Sequence, residues 1–553
     1  MTDGTGDRAA GAAATSPEPR PPQARPARSG GAALLVAAGI LLSRLAGFVR
    51  QRIFGHYLGT SAAADAYNAA FRIPNFLQNL LGEGVLSASF IPVFASLRAK
   101  GKEQDARAVA GAVAGLLGLA TGLFALLGIL ATPWLIDAIA PGFHGETRAL
   151  TIHLVRVFFP GISLLVLSAF CIGVLNSHHR FFLSYAAPVV SSAAVVAALV
   201  VGGHQLKLGQ FPLAVWAAWG AVAGAALQLA VQLPTVLRLL GQGFRLSLGR
   251  GNADVREVVR NFLPVVAGRG VVQLSAYVDT LIASWLPEGT VAAFSYAQLI
   301  YTLPVSLFGM AVSAASLPSM SASQGEEGAT EKLRAQLASG LRSIAFPVVP
   351  SVAAFLALGD VICAALFQTG KFGPAQVQYV WLILAGSTVG LLAATLGRLY
   401  SSAFYALRDT RTPLRFAAIR VALTGALGLF AGIYLPRLLH VDAAYGAAGL
   451  TASAGIAGWV EFALLRRALR ARIGSVDFPG GFLARLWLSA ALAAAAGLGL
   501  RFLLRGHGLL DHPLPRAALV FSLFGATYLG ATLALRVPEA TAALGRVRRL
   551  LKR

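Results

Sequence analysis

Ionisable side chains interrupt an otherwise apolar sequence between residues 43 and 84. Arg44 and Arg50 precede Asp65 there, and Arg72 lies between Asp65 and Glu83. A charge at the centre of a bilayer costs at least ~2.5–3.5 kcal/mol, so several charges together indicate a hydrated internal cavity. Because arginines outnumber acids in this segment, some guanidinium groups should remain free for phosphate oxygens, which their planar forks match. The segment predicts a cavity for an anionic, phosphorylated substrate.

The alternative is that these charges form internal ion pairs that only fix helix packing. Against it, Arg44 lies ~18 Å into the first apolar run, too deep to reach the interface. Arg52 is close enough to the end of that run to snorkel, and we expect its replacement by alanine to be mild. The substrate-binding candidates are Ser43, Arg44, Arg50, Arg72, Asn75 and Gln78. Asp65 and Glu83 are the candidates that orient these residues and close the outer and inner gates respectively.

The elements that position these residues are membrane helices. Of the 553 residues, 56% are hydrophobic and only 12% are charged, which is far from the composition of a soluble domain. Runs of the length that crosses a ~30 Å hydrocarbon core recur along nearly the whole chain. The predicted spans lie near residues 32–54, 66–97, 107–131, 149–175, 184–203, 212–240, 260–286, 290–321, 337–366, 376–406, 414–438, 443–465, 482–504 and 515–537. The fold class is therefore an all-α polytopic membrane protein with fourteen transmembrane helices.

The second span is too long for one straight helix, since residues 66–97 would reach ~48 Å. Pro74, the Gly-Glu-Gly sequence at 82–84 and Pro92 should bend or break it. Backbone groups freed by such a break are tolerated only beside protein or water. The break therefore also points to a cavity.

The basic residues are concentrated in particular loops and in the two tails. The net charge of +23 suggests nucleic acid at first sight, but the basic residues alternate with apolar spans, which indicates topology. The basic loops are 98–107, 177–180, 238–260, 408–415 and 466–472, together with both tails. The positive-inside rule places both termini in the cytoplasm and the loops 55–64 and 132–147 outside. We expect membrane lipids as partners and no nucleic acid.

A weak internal repeat divides the chain. Residues 59–92, with Gly-Thr-Ser-Ala-Ala-Ala-Asp-Ala-Tyr, resemble residues 289–318, with Gly-Thr-Val-Ala-Ala-Phe-Ser-Tyr, although chance similarity between Ala-rich helices is the alternative. The offset predicts two six-helix lobes around a central cavity, with two helices added at the end. The predicted units are a disordered tail (1–31), an N-lobe (32–240), a cytoplasmic linker (241–259), a C-lobe (260–465), a basic linker (466–481), a final helix pair (482–537) and a basic tail (538–553).

Three further residues are candidates for cation coupling. Asp279 lies within the seventh span without a charged neighbour in its own helix, so it is a candidate proton or sodium site. Asp409, beside Thr410 and Arg411, either joins it or pairs with a loop arginine and caps the next helix. Thr424 is the third candidate. We expect no cofactor and no metal site, with transport coupled to sodium, protons or the membrane potential.

Other protein classes fit less well. An enzyme acting on lipid-linked sugars would need a large external loop with acid and base carboxylates or a metal cluster, so we expect no enzymatic activity. A channel would show a filter-like loop or a ring of charges. Cys171 and Cys363 both fall within spans and are expected to be packed thiols. A non-transporting scaffold would tolerate neutralised arginines.

Five motifs resemble those of the MurJ/MviN family of lipid II flippases, in the multidrug/oligosaccharidyl-lipid/polysaccharide (MOP) exporter superfamily. They are SRLAGFVR (43–50), ADAYNAAFRIPN (64–75), GEGVLSASFIPVF (82–94), VLNSHHRF (174–181) and FYALRDTRTPLR (404–415). The resemblance implies a two-lobed fold around a cationic cavity, with the last two helices forming a groove for a polyprenyl tail. It carries functional positions over to Arg44, Arg50, Asp65 and Glu83, and Arg72 matches a commonly basic position.

The resemblance implies a function in bacterial cell wall biogenesis and cell shape. The chain would flip an undecaprenyl-diphosphate-linked saccharide, lipid II, between the leaflets of the inner membrane by alternating access, as a monomer. Gln78, Gln298 and Leu299 stand where relatives often carry basic residues, so we expect the C-lobe to be short of positive charge and Leu299→Arg to be tolerated. The alternatives are export of another lipid-linked saccharide and drug/cation antiport.

Overall fold

The computed structural model describes residues 29–322, 328–476, 478–504 and 512–551, and side chains are described for most of these. The described helices are α1 Ser29–Leu58, α2 Ala62–Leu81, α3 Glu83–Ala99, α4 Glu103–Ile139, α5 Gly145–Ser177, α6 Phe181–Val200, α7 Gln210–Leu240, α8 Ala253–Ala283, α9 Thr290–Pro304, α10 Ala311–Ala322, α11 Ala329–Phe367, α12 Pro374–Thr388, α13 Leu391–Ala406, α14 Arg411–Leu429, α15 Leu435–Leu438, α16 Tyr445–Ile473, α17 Phe482–Leu503, α18 Pro513–Ala534 and α19 Pro538–Leu551. The predicted disordered tail, except its last residues, lies outside the described part.

The predicted membrane spans coincide with helices of the structure. Eleven described helices are long and apolar enough to cross a membrane, and the pair α12 and α13, bent by 42°, adds one more. With α1 and α8, whose side chains are only partly described, the helix order accommodates fourteen spans. A short π-helical segment extends α6 to residue 205. Two others join α9 to α10 and α14 to α15.

The second span is broken at the predicted Gly-Glu-Gly sequence, whereas Pro74 and Pro92 lie inside the helices α2 and α3. Gly82 ends α2 in an extended conformation, and α3 starts at the next residue. Ser61 caps α2 by accepting a hydrogen bond from the Ala64 amide at 3.3 Å. Helix α2 lies against α5 of the N-lobe and against α8 and α9 of the C-lobe.

The helices form two lobes and a final pair. In the N-lobe, α1 packs on α6, and α5 packs on α2, α4 and α7. In the C-lobe, α16 packs on α12, α13 and α14, and α11 packs on α12 and α13. The last pair, α17 and α18, lies against α11, where Arg501 donates to Asp360 at 2.9 Å. Helix α8 contacts α3 and α4 at one part and α14 and α16 at another, so it bridges the lobes.

The linker between the lobes lies on α4. The Ser247 amide donates to the Gly111 carbonyl at 3.3 Å, and a Cβ at Gly111 would lie 2.0 Å from the Arg245 carbonyl oxygen. Asn252 then caps α8 by accepting from the Asp254 amide at 2.9 Å. For this reason α8 begins at residue 253, seven residues before the predicted span.

The bundle has two ends of different character. The sealed end comprises residues 52–65, 284–292 and 365–372, where the N-lobe and the C-lobe touch. The basic end carries the predicted basic loops, including 98–107, 177–180 and 408–411.

Candidate functional site: a sealed end above two polar chambers

Two helix N-termini cap each other across the lobes at the sealed end. Asp65, which is 3% exposed, accepts hydrogen bonds from the Gly289 amide at 2.6 Å and the Ala292 amide at 2.7 Å, at the start of α9. In return, Glu288 accepts from the Ala62 amide at 2.7 Å, at the start of α2. Each carboxylate thus meets unpaired amides and the positive end of the opposite helix dipole. This reciprocal arrangement joins the two segments that the internal repeat relates.

Glycine is required at the centre of this contact. Gly289 has a φ of 90°, in the left-handed region, and precedes α9. A Cβ there would lie 2.3 Å from the Thr60 carbonyl oxygen of the other lobe. Any side chain would therefore be strained and would push the lobes apart.

Arg52 joins α1 to the C-terminus of α11. One of its guanidinium nitrogens donates to the carbonyl oxygens of Ala365 and Leu366, at 2.7 Å each. These carbonyls belong to the last turn of the helix, where a cation also meets the negative end of the dipole. The expectation that Arg52 only reaches the interface is wrong, because two residues 313 and 314 positions away supply the acceptors.

Further polar contacts complete the seal. His56 Nδ1 and Thr369 Oγ1 are 2.8 Å apart, and the Lys371 amide donates to the His56 carbonyl at 2.9 Å. The buried Tyr296 hydroxyl donates to the Gly59 carbonyl at 3.0 Å. The sealed end is thus held by hydrogen bonds from α1 and α2 to α9 and the α11–α12 turn.

Below the seal lies a cavity of about 210 Å³ within the N-lobe, the N-lobe chamber. Its walls come from α1, α2, α5, α6 and α7. The lining residues are Arg50, Gln51, Phe54, Tyr67, Asn68, Phe71, Gln78, Leu165, Pro188, Ser191, Ser192, Val195, Ala221 and Gln228.

A second cavity of about 340 Å³, the interlobe chamber, lies between α2 and the helices α8 and α9. It is lined by Asn68, Phe71, Arg72, Asn75, Phe76, Asn79, Tyr277, Ser295 and Gln298. The two chambers adjoin because they share Asn68 and Phe71. The Tyr277 hydroxyl donates to the Arg72 carbonyl at 2.9 Å, which connects the lobes beside this chamber.

The structure brings together four of the six predicted substrate-binding residues. Arg50 and Gln78 line the N-lobe chamber, and Arg72 and Asn75 line the interlobe chamber. The other two, Ser43 and Arg44, lie on the preceding turns of α1, and neither lines a chamber in the described structure. Arg44 is exposed and Ser43 half-buried. The side chain of Glu83 lies outside the described part.

Sequence reasoning missed two arginines of the C-lobe. Arg420 on α14 pairs with Glu461 on α16, with Nε and Oε2 3.1 Å apart. Arg398 on α13 is close enough to interact electrostatically with Arg420, Glu461 and Tyr301. The C-lobe therefore carries positive charge that the sequence reasoning overlooked, although neither arginine lines either chamber in the described structure. Both residues lie in ordinary helical sequence, and only the folding of α13, α14 and α16 onto one another brings them together.

Gln298 and Leu299, which stand in span eight where relatives often carry basic residues, lie in different environments. Gln298 lines the interlobe chamber, whereas Leu299 is half-buried against the hydrophobic core. An arginine at position 299 would have to displace apolar packing. The expected tolerance of Leu299→Arg does not agree with this environment.

The charges that act on Asp279 come from other helices. Arg72 of the N-lobe and Arg420 of the C-lobe are the cationic groups that interact with its carboxylate. Thr424, on the helix of Arg420, is half-buried. Asp279 thus lies between the interlobe chamber and the C-lobe arginines.

Asp409, in contrast, has structural partners at the basic end. Its carboxylate accepts from the Arg411 and Thr412 amides at 3.0 Å each, from the Thr412 hydroxyl at 2.7 Å, and from Arg472 at 2.6 Å. These hydrogen bonds, those from Thr412 first, lower the pKa of Asp409 below its usual range. The predicted cap and the predicted pairing with an arginine are both present.

Comparisons with known proteins agree with this architecture. The sequence model of the family described as "Lipid II flippase MurJ" matches residues 54–514. The "Lipid II flippase MurJ" of Burkholderia cenocepacia is 32% identical over 90% of this chain and 96% of its own length. The "Probable lipid II flippase MurJ" of Rhizobium meliloti is 33% identical over 83% of this chain and 84% of its own.

Solved structures show the same fold. A structure titled "Lipid II flippase MurJ, inward closed conformation" covers 91% of this chain and 99% of its own, with a TM-score of 0.72 at 20% identity. An inward-facing multidrug resistance MATE family transporter of the MOP superfamily covers 80% of this chain and 98% of its own, with a TM-score of 0.65 at 17% identity. The match of the family over most of the chain, together with a sealed, two-lobed, arginine-bearing bundle, establishes that this chain belongs to the lipid II flippase MurJ family.

Proposed function

We propose that this protein flips lipid II, a polyprenyl-diphosphate-linked peptidoglycan precursor, from the inner to the outer leaflet by alternating access. The observation that carries the proposal is the pair of adjoining chambers, with Arg50 and Arg72 among their walls, below an end closed by hydrogen bonds. Guanidinium groups bind diphosphate oxygens bidentately, and a closed end above a polar cavity is one state of an alternating-access cycle.

The orientation follows from the basic loops. We place the basic end and both termini in the cytoplasm of a bacterium, with the chain in the inner membrane as a monomer. The sealed end then faces outward, so that the described state exposes its chambers only from the cytoplasmic side. Asp65 closes the outer gate, and Glu83 has the corresponding role at the inner one.

Within the cavity, Arg50 and Arg72 hold the diphosphate, with Asn75 and Gln78 as additional donors. Ser43 and Arg44, on the exposed turns of α1, meet the head group before it reaches the chambers. The final helices α17 and α18 provide the surface along which the polyprenyl tail remains in lipid.

Coupling involves Asp279. Phosphate oxygens compete with its carboxylate for Arg72, so substrate arrival weakens the ion pairing of Asp279 and favours uptake of a proton or a sodium ion there. Thr424 and Asp409 are the other candidates for cation coupling. The hydrogen bonds of Asp409 leave its carboxylate less available to a cation. No cofactor and no catalytic step are invoked. The Asp279→Asn protein should still bind lipid but lose the dependence of transport on an ion gradient, measured in proteoliposomes, and unchanged gradient dependence would make Asp279 structural.

Drug/cation antiport is the second candidate and has less support. A cationic substrate calls for acidic groups, yet none of the described residues lining either chamber is acidic. Another lipid-linked saccharide would use the same arginines and stays the closer alternative.

Complementation tests the proposal. In bacteria depleted of their own lipid II flippase, this protein should restore survival and prevent accumulation of inward-facing lipid II. Arg50→Ala should abolish the rescue, since one charged hydrogen bond of ~1.5–3 kcal/mol corresponds to about tenfold to a hundredfold in binding. Arg156→Ala, an exposed arginine of α5, is the matched control and should rescue like the wild type. Failure of the wild type to rescue despite normal insertion would refute the function.

A further inference from the structure

Neutral polar side chains form a buried network behind the N-lobe chamber. The Ser168 hydroxyl donates to Gln232 Oε1 at 2.7 Å, and Gln228 Nε2 donates to Ser168 Oγ at 2.8 Å. Ser168 and Gln232 are fully buried and Gln228 is 6% exposed. Gln232 Nε2 has no hydrogen-bond partner among the described residues. Such groups are costly inside a membrane protein, so a bundle that needed only packing would not favour them.

The network presents one of its members to the chamber. Gln228, near the middle of α7, lines the cavity together with Ser191 and Ser192 of α6 and Asn68 of α2. Amides both donate and accept hydrogen bonds, and hydroxyl groups do the same. The Ser168 contact fixes the orientation of the Gln228 amide, so its remaining donor and acceptor are held towards the cavity without any charge.

Aromatic rings form another part of the same wall. Tyr67 and Phe71 lie one turn apart on α2 with ring planes within 10° and centroids 6.5 Å apart. Phe54 of α1 packs on Tyr67 with centroids 4.8 Å apart. The chamber therefore offers flat apolar faces beside neutral donors and acceptors, with Arg50 as its one charged lining residue in the described structure.

This combination matches one chemical class. A sugar ring has an apolar C–H face, which packs on aromatic rings, and hydroxyl or acetamido groups at its edge, which bind amides and serines. A diphosphate alone would call for more cations, and a drug cation would call for acids.

We propose that the N-lobe chamber is a saccharide subsite in which Gln228 and the Ser191–Ser192 pair read the first sugar of the substrate. The inference rests on the proposed function, since it assumes a diphosphate held by Arg50 and Arg72 where the chambers meet at Asn68 and Phe71. The sugar attached to that diphosphate then enters the N-lobe chamber, which has the volume for one ring. Selection for a glycosylated over a bare polyprenyl diphosphate arises in this chamber.

The test compares two lipids on the full-length protein in nanodiscs. The probes are undecaprenyl diphosphate and its disaccharide-pentapeptide derivative, with neutral undecaprenol as the reference, and affinities come from native mass spectrometry. Gln228→Leu should weaken binding of the glycosylated lipid about tenfold and leave the bare diphosphate unchanged, as expected for lost neutral hydrogen bonds. Arg156→Ala, which changes an exposed arginine of α5 outside the chamber and its network, is the control.

Each outcome decides a separate question. If wild type binds neither diphosphate lipid better than undecaprenol, the proposed function fails. If it binds both diphosphate lipids, but Gln228→Leu leaves their affinity ratio unchanged or Arg156→Ala changes it equally, only the saccharide subsite is refuted. Should Gln228→Leu lose its cooperative thermal transition, the Ser191→Ala, Ser192→Ala double variant replaces it with the same expected change in ratio.

Discussion

Arg52 should control how often the sealed end opens. Its guanidinium donates two 2.7 Å hydrogen bonds to the last carbonyls of α11, at Ala365 and Leu366. Charged hydrogen bonds contribute ~1.5–3 kcal/mol each when buried, and we halve this sum because Arg52 is half-exposed and water replaces part of the loss. Arg52→Ala should then destabilise the sealed state by about 1.5–3 kcal/mol, which raises the open fraction by roughly ten- to 150-fold.

Thiol labelling measures this fraction. With Cys171 and Cys363 replaced, a cysteine at Ala63, which is fully buried in the seal, reacts with an impermeant reagent only when the end opens. The labelling rate follows the open population as long as reclosing is faster than reaction. Arg52→Ala should raise the rate by the stated factor, whereas Arg156→Ala should not. An unchanged rate in Arg52→Ala, with the thermal transition retained, would show that the contact does not hold the lobes together.

Other predictions concern the seal, the core, the basic end and the topology. Gly289→Ala should also raise the labelling rate of the seal, because its Cβ meets the opposite lobe; a rate equal to that of wild type would show that the backbone relaxes without opening. Leu299→Arg should lower the melting temperature by several degrees through disrupted core packing, and an unchanged thermal scan would contradict the burial argument. Asp409→Asn should lower the melting temperature at pH 7. Because the pKa of Asp409 is lower in the folded than in the unfolded protein, its carboxylate stabilises the fold fully above the unfolded pKa of about 3.9. This stabilisation is lost as the pH falls through the folded pKa. A difference between variant and wild type that does not shrink as pH falls below 3.9 would refute this origin. Cysteine at Ser61 should react from the outside during opening and cysteine at Ser177 only from the inside, whereas reversed accessibility would overturn the orientation.

The sequence was a good guide to the elements and a partial guide to the site. Apolar runs located the spans, and the Gly-Glu-Gly sequence at 82–84 predicted the break at Gly82, because helix length and helix breakers are local properties. Arg50 and Arg72 could be selected since charges within apolar runs must face a cavity or a partner. Whether an arginine faces a cavity or a partner depends on distant helices and is not a local property. The rule that selected Arg50 and Arg72 therefore also selected Arg44, which the structure places outside both chambers.

Residue types and spacing by themselves determined the fold class, the two-lobed order of helices and the presence of a cationic interior. Tertiary structure alone decided the partners: Arg52 reaches carbonyls more than three hundred residues away, Asp65 and Glu288 cap each other's helices, and Arg420 places a positive charge beside Asp279. The physical reason is that burial in a membrane requires every polar group to find a partner or a hydrated cavity. Sequence shows that the requirement exists, whereas the packing of distant helices determines how it is met.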